Sequence, residues 1–385
     1  MKNKIIKVCL VIASRANYGR VKSLIIELKK NPKYKLQIIL AASSLLERFG
    51  NLKKILKKDK IKHDKEAYFI IEGENPLTMA KSTGLALIEF CSAFNDLKPD
   101  VVITVGDRYE TMATAIAASY MNIKLAHIQG GEITGSIDES VRHAITKLSH
   151  IHFVATKKSK ENVIKLGENK KYVFNVGCPS LDKIKEDIDK YKTRDPVLNG
   201  GIGPKINFKK KYLLVVFHPV TTEYGQSYKQ TQELINSIKN INIPTIWLWP
   251  NVDAGSDGIS KCIRINRELG NLQNVTFYKN LPVDIYNFVL KNAFCAVGNS
   301  SSFIREGSFL GTPCVLIGER QNKRELGKNV IKSKIEKNEI LRKINMQINN
   351  KKIKKTKLYG DGNASKKISK LIYKLSPNIQ KTLAY

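Results

Sequence analysis

The chain has 385 residues, 42% of them hydrophobic, with 66 Lys and Arg against 34 Asp and Glu and a formal net charge of +32. That length exceeds one ordinary core and predicts two domains, while the apolar fraction excludes a disordered chain. No apolar run approaches the ~18 residues of a membrane helix, and the lysines are spread along the chain without a nucleic-acid-binding signature, so neither membrane nor nucleic acid is an expected partner.

The lysine excess, densest in KKIKKTK (351–357), reads as solvated faces with some attraction for an anionic substrate. The first residues, MKNKIIKVCLVIASRA, imitate a signal peptide, but Lys7 interrupts the apolar run and an amphipathic segment follows at once. The stretch therefore reads as a buried first strand. Cysteines 9, 91, 178, 262, 295 and 314 show no metal-like pairing and sit mostly in apolar runs, which predicts reduced thiols and a cytoplasmic protein.

KVCLVIA (7–13) is the first expected strand, and a helix over 18–30 follows with Val21, Leu24, Ile25 and Leu28 at helical spacing. KLQIILAAS (35–43) is the next strand, and a long helix covers 76–97. VVITVG (101–106), a helix over 109–122, KLAHI (124–128), a helix running into a strand at HAITKLSHIHFVAT, and KYVFNVG (171–177) complete the first half. Residues 178–210 carry Pro and Gly and read as the interdomain region. A second alternation runs through 212–219, 244–251, 274–280, 294–300 and 313–318.

Strand–helix alternation predicts parallel sheets with right-handed crossovers. The expected fold class is α/β: two doubly wound Rossmann-like domains, 1–180 and 181–362, facing across a cleft. A C-terminal helix over 363–385 is expected to pack back toward the first domain. In such folds ligands bind outside the carboxyl ends of the strands. Arg15, Asp107, His127, His218, Asn251, Ser300 and Arg320 all follow apolar runs.

The 297–321 segment, VGNSSSFIREGSFLGTPCVLIGERQ, carries the first chemistry. Gly298 permits a tight turn, and the serines open a helix whose free amides and hydroxyls make an anion site. Glu306, one turn on, can accept both hydroxyls of a ribose; an ordinary helix cap is the alternative. Arg15 and Arg320 can supply charge to a pyrophosphate. His218 in HPVTT sits at a strand's carboxyl end, where a ligand contact and a satisfied loop histidine are both open.

HIQGGEITGSIDESVRH (127–143) is too polar to bury without a reason. With GDRYE (106–110) it brings Asp107, Glu132, Asp138 and Glu139 toward one cleft. Crowded carboxylates raise each other's pKa, which suits proton transfer at carbon, while Arg142 and His143 can offset the charge. A helix-capping role for Asp107 stands beside this reading.

RANYG (15–19), GENPLTMAKSTGLAL (73–87), GDRYE, the 127–143 stretch, GCPS (177–180), HPVTT, PNVDAG (250–255), GNSS…RE (298–306), GTP…GERQ…RE (311–325) and YGDGNA (359–364) together resemble the hydrolysing UDP-N-acetylglucosamine 2-epimerases of sialic acid biosynthesis. The resemblance runs nearly the whole chain, in order. It implies a glycosyltransferase-B-like arrangement, and since the sequence shows no metal-ligand cluster and no GxGxxG, no metal and no cofactor are expected. It also implies elimination of UDP to a glycal, followed by hydration with inverted C2 to give N-acetylmannosamine.

By motif, Arg15, His218, Ser300, Ser301, Glu306 and Arg320 would hold UDP, while Asp107, His127, Asp138 and Arg142 would line the sugar. Asp107, Glu132, Asp138 and His218 form the expected catalytic set. Ser44, Arg108, Gln129, Asn251 and Gly298 complete the expected substrate-binding set. Three departures stand on the sugar side: Gln129 replaces the glutamate of HIEGGE, Ser44 the histidine of GSHL, and Val105 the histidine of HGDR. Gln129 cannot carry a proton at neutral pH, so Asp107 is the leading candidate, then Glu132 or Asp138. The same reaction on a 2,4-diacetamido-2,4,6-trideoxy sugar nucleotide of the legionaminic acid route is the alternative. A glycosyltransferase of the same fold and a non-catalytic sugar-nucleotide-binding homologue are further alternatives. A homo-oligomer, dimer or tetramer, is expected.

Overall fold

The computed structural model describes residues 5–47, 52–73, 75–134, 137–250, 253–350 and 353–384. The first lobe runs β1 (Ile6–Ile12), α1 (Arg15–Lys30), β2 (Tyr34–Ala41), α2 (Leu52–Lys58), β3 (Lys65–Ala67), α3 (Pro76–Leu97), β4 (Val101–Val105), α4 (Tyr109–Tyr120), β5 (Lys124–Ile128), α5 (Ile137–Leu148), β6 (Ile151–Val154), α6 (Lys157–Lys165) and β7 (Val173–Asn175). The second runs α7 (Ile184–Asp189), β8 (Leu213–Val216), α8 (Ser227–Ile241), β9 (Thr245–Leu248), α9 (Ser256–Glu268), β10 (Val275–Tyr278), α10 (Val283–Asn292), β11 (Cys295–Gly298), α11 (Ser301–Leu310), β12 (Cys314–Ile317), β13 (Val330–Ser333) and α12 (Lys337–Asn349). Helix α13 (Ala364–Lys374) follows.

Each lobe holds one all-parallel sheet, in the order β3-β2-β1-β4-β5-β6-β7 and β10-β9-β8-β11-β12-β13. Central strands such as VVITV (101–105) and LLVV (213–216) are buried throughout because helices cover both faces. Alternate side chains of β1 serve different cores. Val8, Leu10 and Ile12 pack with α1, while Cys9 and Val11 pack with α3 and α4. In both sheets the winding reverses at the centre, between β1 and β4 and between β8 and β11. The loops there leave in opposite directions and open a crevice at the carboxyl ends. This is the expected α/β architecture of two Rossmann-like lobes.

Helix α1 begins at Arg15, earlier than periodicity predicts, because Ser14 Oγ caps it by accepting from Asn17 N at 3.1 Å. The short edge strands β3 (KEA) and β13 (VIKS) escape a sequence reading because they carry charges and no continuous apolar run.

Asp182 caps α13, accepting from Ala364 N at 2.9 Å and Ser365 N at 2.7 Å. The helix then packs on the first lobe: Ile368 and Ile372 join the core of Leu24 and Leu28, and the Tyr34 hydroxyl donates to Ser369 O. The helix expected to continue to 385 stops at Lys374, since Pro377 disfavours helical geometry in the residue before it. The chain continues without helix along the first lobe, where Lys381 Nζ reaches Glu168 at 2.7 Å and Ala384 N donates to Gly167 O at 3.0 Å.

Candidate functional site

The residues after β1, β4 and β5 bond to residues of the second lobe. Arg108 Nη1 reaches Asp253 at 2.6 Å, Arg20 Nη2 donates to Ser301 Oγ at 3.4 Å, and Arg320 Nη2 stands 3.9 Å from both Asp138 and Asp253. The two switch points therefore share one cleft.

On the second lobe, Gly298 ends β11 at φ +140, and a Cβ there would meet Val216 O at 2.1 Å. Only glycine lets the turn press against β8, so Gly298 shapes the site through its backbone. Asn299 then staples the two strand ends, accepting from His218 N at 2.8 Å and donating to His218 O at 2.7 Å. Ser300 caps α11, accepting from Ser302 N at 3.3 Å. Ser301 Oγ receives Arg20 and, at 3.1 Å, Arg305. Arg320 Nη1 donates to Asn299 O at 3.3 Å. Glu306 is buried on α11, and its Oε2 has no hydrogen-bond partner among the described residues. Burial pushes the His218 imidazole down to about 3, assisted by Arg320, so this ring is neutral at physiological pH.

On the first lobe, Arg15 opens α1, and burial lowers its guanidinium pKa. Asp107 follows β4. Burial would raise its carboxyl, but Arg142, Arg324 and Arg20 outweigh that and hold it well below the usual carboxylate range. Arg142 Nε donates to Asp107 Oδ2 at 3.0 Å, and its Nη2 donates to the same oxygen. Asp138, in the first turn of α5, moves the other way. Burial, then the Asp107 charge, push it up to about 6. The expected mutual rise among crowded carboxylates therefore holds for Asp138, whereas Asp107 departs from it because arginines surround it.

Other expected site residues are occupied by the protein itself. Glu132 Oε2 accepts from Arg305 at 3.2 Å and from Arg324, both on the second lobe. His127 is fully buried, with Nε2 on Gly106 O at 2.8 Å and Nδ1 on Thr146 Oγ1 at 3.2 Å, so it braces the β4 turn from behind. Ser44 spends its hydroxyl on its own turn, donating to Ala41 O at 2.7 Å and accepting from Ala41 N at 3.1 Å. Arg108 is spoken for by Asp253 and by buried Glu110 at 2.7 Å. Gln129 is buried at φ +71, donating from Nε2 to Cys178 Sγ at 2.8 Å. Its Oε1 has no partner among the described residues. Asn251 lies outside the described residues.

Arg20, Asp253, Arg305 and Arg324 belong to this site and were not singled out from the sequence. Arg324 lies within GERQ…RE, Arg305 beside Glu306 and Asp253 within PNVDAG, which is the local signal the sequence offers for them. Burial is the first cause that lowers Arg20, to about 10, and the Arg305 charge adds to it. Among the described residues no three His, Cys, Asp or Glu side chains group as a metal site would need, and no helix is long and apolar enough to cross a membrane.

One wall of the cleft is thus a cationic helix N-terminus, and the other a carboxylate held ionised beside one raised to about 6. That pairing suits an anionic leaving group next to proton transfer. Comparison with known proteins points the same way. A "UDP-N,N'-diacetylbacillosamine 2-epimerase (hydrolyzing)" of Legionella pneumophila is 36% identical over 95% of each chain. A "GDP/UDP-N,N'-diacetylbacillosamine 2-epimerase (hydrolyzing)" of Campylobacter jejuni is 34% identical over 86% of this chain and 84% of its own. A "UDP-N-acetylglucosamine 2-epimerase" of Neisseria meningitidis is 30% identical over 84% of this chain and 83% of its own. The fold also matches the crystal structure of a Neisseria meningitidis UDP-GlcNAc 2-epimerase bound to UDP-GlcNAc, with a TM-score of 0.81 at 20% identity over 96% of this chain and all of that one. The UDP-N-acetylglucosamine 2-epimerase family model spans residues 26–373, and with that match and these relatives the chain belongs to the UDP-N-acetylglucosamine 2-epimerase family.

Proposed function

We propose that this protein is a hydrolysing 2-epimerase whose substrate is a UDP-linked 2,4-diacetamido-2,4,6-trideoxy hexose, releasing UDP and the free sugar inverted at C2. The observation that carries the reaction type is the split between Asp107, held ionised, and Asp138, raised to about 6. Elimination of UDP needs a base for the C2 proton, and hydration of the glycal needs an acid to return one. Asp107 is ionised and so can accept the first proton, though its arginines make it a weak base, and Asp138 can supply the second. Arg15, Arg20, Arg320 and the α11 N-terminus would stabilise the charge on the departing UDP, with Glu306 on the ribose. His218 would bind the nucleotide as a neutral ring.

Two relatives of 36% and 34% identity support this substrate: both are named for N,N'-diacetylbacillosamine, which is a 2,4-diacetamido-2,4,6-trideoxy hexose. Gln129 supports the same choice. It stands where the N-acetylglucosamine enzymes were expected to carry a glutamate, and a buried amide presents a hydrogen-bonding edge where a carboxylate would present charge. Incubation with the diacetamido sugar nucleotide and, separately, with UDP-N-acetylglucosamine tests this, with UDP and sugar followed by NMR. Preferential turnover of the first supports the proposal. Preference for UDP-N-acetylglucosamine would overturn the substrate, and a product still linked to UDP would overturn the hydrolysis.

A further inference from the structure

Glu132 was a candidate proton carrier, yet it sits on a loop of the first lobe with its side chain across the lobe boundary. One oxygen, Oε2, accepts from Arg305 of α11 at 3.2 Å and from Arg324 in the turn after β12. All three side chains are buried. The loop carrying Glu132 is pinned within its own lobe. Gly131 has φ +74, and a Cβ there would stand 2.2 Å from Ser159 O. Asn162 Nδ2 donates to Gly131 O at 2.8 Å, and Arg142 donates from Nη1 to Glu132 O.

The loop therefore cannot follow the second lobe if the lobes part. Opening the cleft would separate one carboxylate from two guanidiniums that stand side by side, so the contact favours the closed arrangement, with part of the gain offset by the desolvation of the three groups. Arg142 links this contact to the chemistry, since the guanidinium that holds the Glu132 backbone also holds the Asp107 carboxylate.

We propose that Glu132, Arg305 and Arg324 form an interlobe latch that holds the cleft closed and, through Arg142, orients Asp107. Glu132 is a positioning residue and not a proton carrier. The kinetic part rests on the epimerase reading; the closure part does not. Arg324 also contributes to keeping Asp107 ionised, so the closed arrangement helps hold that carboxylate in its charged form.

The test uses the full chain with Glu132→Gln, Arg324→Gln, the double variant and Arg324→Lys. Hydrogen exchange reads closure without any turnover. Loss of the latch raises exchange together in residues 129–134 and 319–327, which lie on opposite lobes, and Arg324→Lys, which keeps the charge, retains most of the protection. In kinetics, each Gln variant lowers kcat/KM at least ~10-fold, mostly through KM, with the limbs of the pH profile in place. The double variant costs little beyond either single one, because both break the same contact. A ~100-fold fall in kcat with loss of one pH limb in Glu132→Gln would make Glu132 a proton carrier and overturn the proposal. Additive losses, or exchange confined to one lobe, would overturn it equally. A wild-type protein that turns over no nucleotide sugar yet shows the paired exchange response refutes the epimerase reading and leaves the latch standing.

Discussion

Replacing Arg320 with Gln should raise the pH at which activity falls. Arg320 Nη2 lies 3.9 Å from Asp138 Oδ2 and, ahead of Arg108, favours its ionised form. Two unit charges at that distance interact by ~1 kcal/mol in water and ~4 kcal/mol at an effective dielectric of ~20. The Asp138 side chain is 29% exposed, which places the interaction toward the lower value. Asp253 shares the same guanidinium at 3.9 Å, and its charge already pushes Asp138 upward. Since about 1.4 kcal/mol corresponds to one pKa unit, Asp138 should rise from about 6 to ~7 in the variant. If Asp138 must carry a proton, kcat/KM falls ~10-fold per pH unit above its pKa. The profile of Arg320→Gln should therefore be lower throughout, because the proposed phosphate contact is lost, with its descending limb displaced upward by ~1 unit. Asp138→Asn should lose the limb and at least ~100-fold of the rate. A limb unmoved in Arg320→Gln, or still present in Asp138→Asn, would refute this assignment of the acid.

Glu306→Ala should weaken UDP binding ~10- to 100-fold in calorimetry, the loss of a charge-assisted contact to ribose; unchanged affinity would reduce Glu306 to a helix residue. Gln129→Glu buries a carboxylate that cannot donate to Cys178, so melting temperature and turnover of the diacetamido substrate should both drop. A severalfold gain on UDP-N-acetylglucosamine at an unchanged pH optimum would contradict that reasoning. Stability should fall on acidification. Burial depresses His127 to about 3 against an unfolded value near 6.5, so its contribution is present at neutral pH and is lost as pH falls below ~6.5. His218, His150 and His152 act in the same direction and Asp138 opposes them, so urea unfolding should show lower stability at pH 5 than at pH 7. Equal or greater stability at pH 5 would count against a buried neutral His127.

The sheets were legible because parallel strands covered on both faces must be apolar throughout, and the crevice was legible because the strand order reverses at fixed points. The residues proposed for the nucleotide could be named for the same reason, since Gly298, Ser300 and Glu306 sit at fixed offsets from a strand end. What the sequence could not show is which charge meets which. Asp107 and Asp138 look alike in a string of letters, and only the placement of Arg142, Arg20 and Arg324 separates one as ionised from the other as protonatable. Arg20 lies far in sequence from Ser301, and Glu132 from Arg305 and Arg324, so nothing local announces those contacts. His127 and Ser44 have side chains suited to a sugar, but the His127 ring nitrogens are taken by Gly106 O and by Thr146 of α5, and the Ser44 hydroxyl by its own turn. A register of short, charged edge residues likewise hid β3 and β13.

Turnover in deuterium oxide enriched with oxygen-18 tests elimination followed by hydration most directly. Loss and return of the C2 proton should leave one deuterium at C2 of the released sugar. Cleavage between C1 and oxygen should leave UDP with none of the heavy isotope. The account predicts both results together in a free, C2-inverted sugar. A C2 position without deuterium, or heavy oxygen in the UDP phosphate, would contradict it.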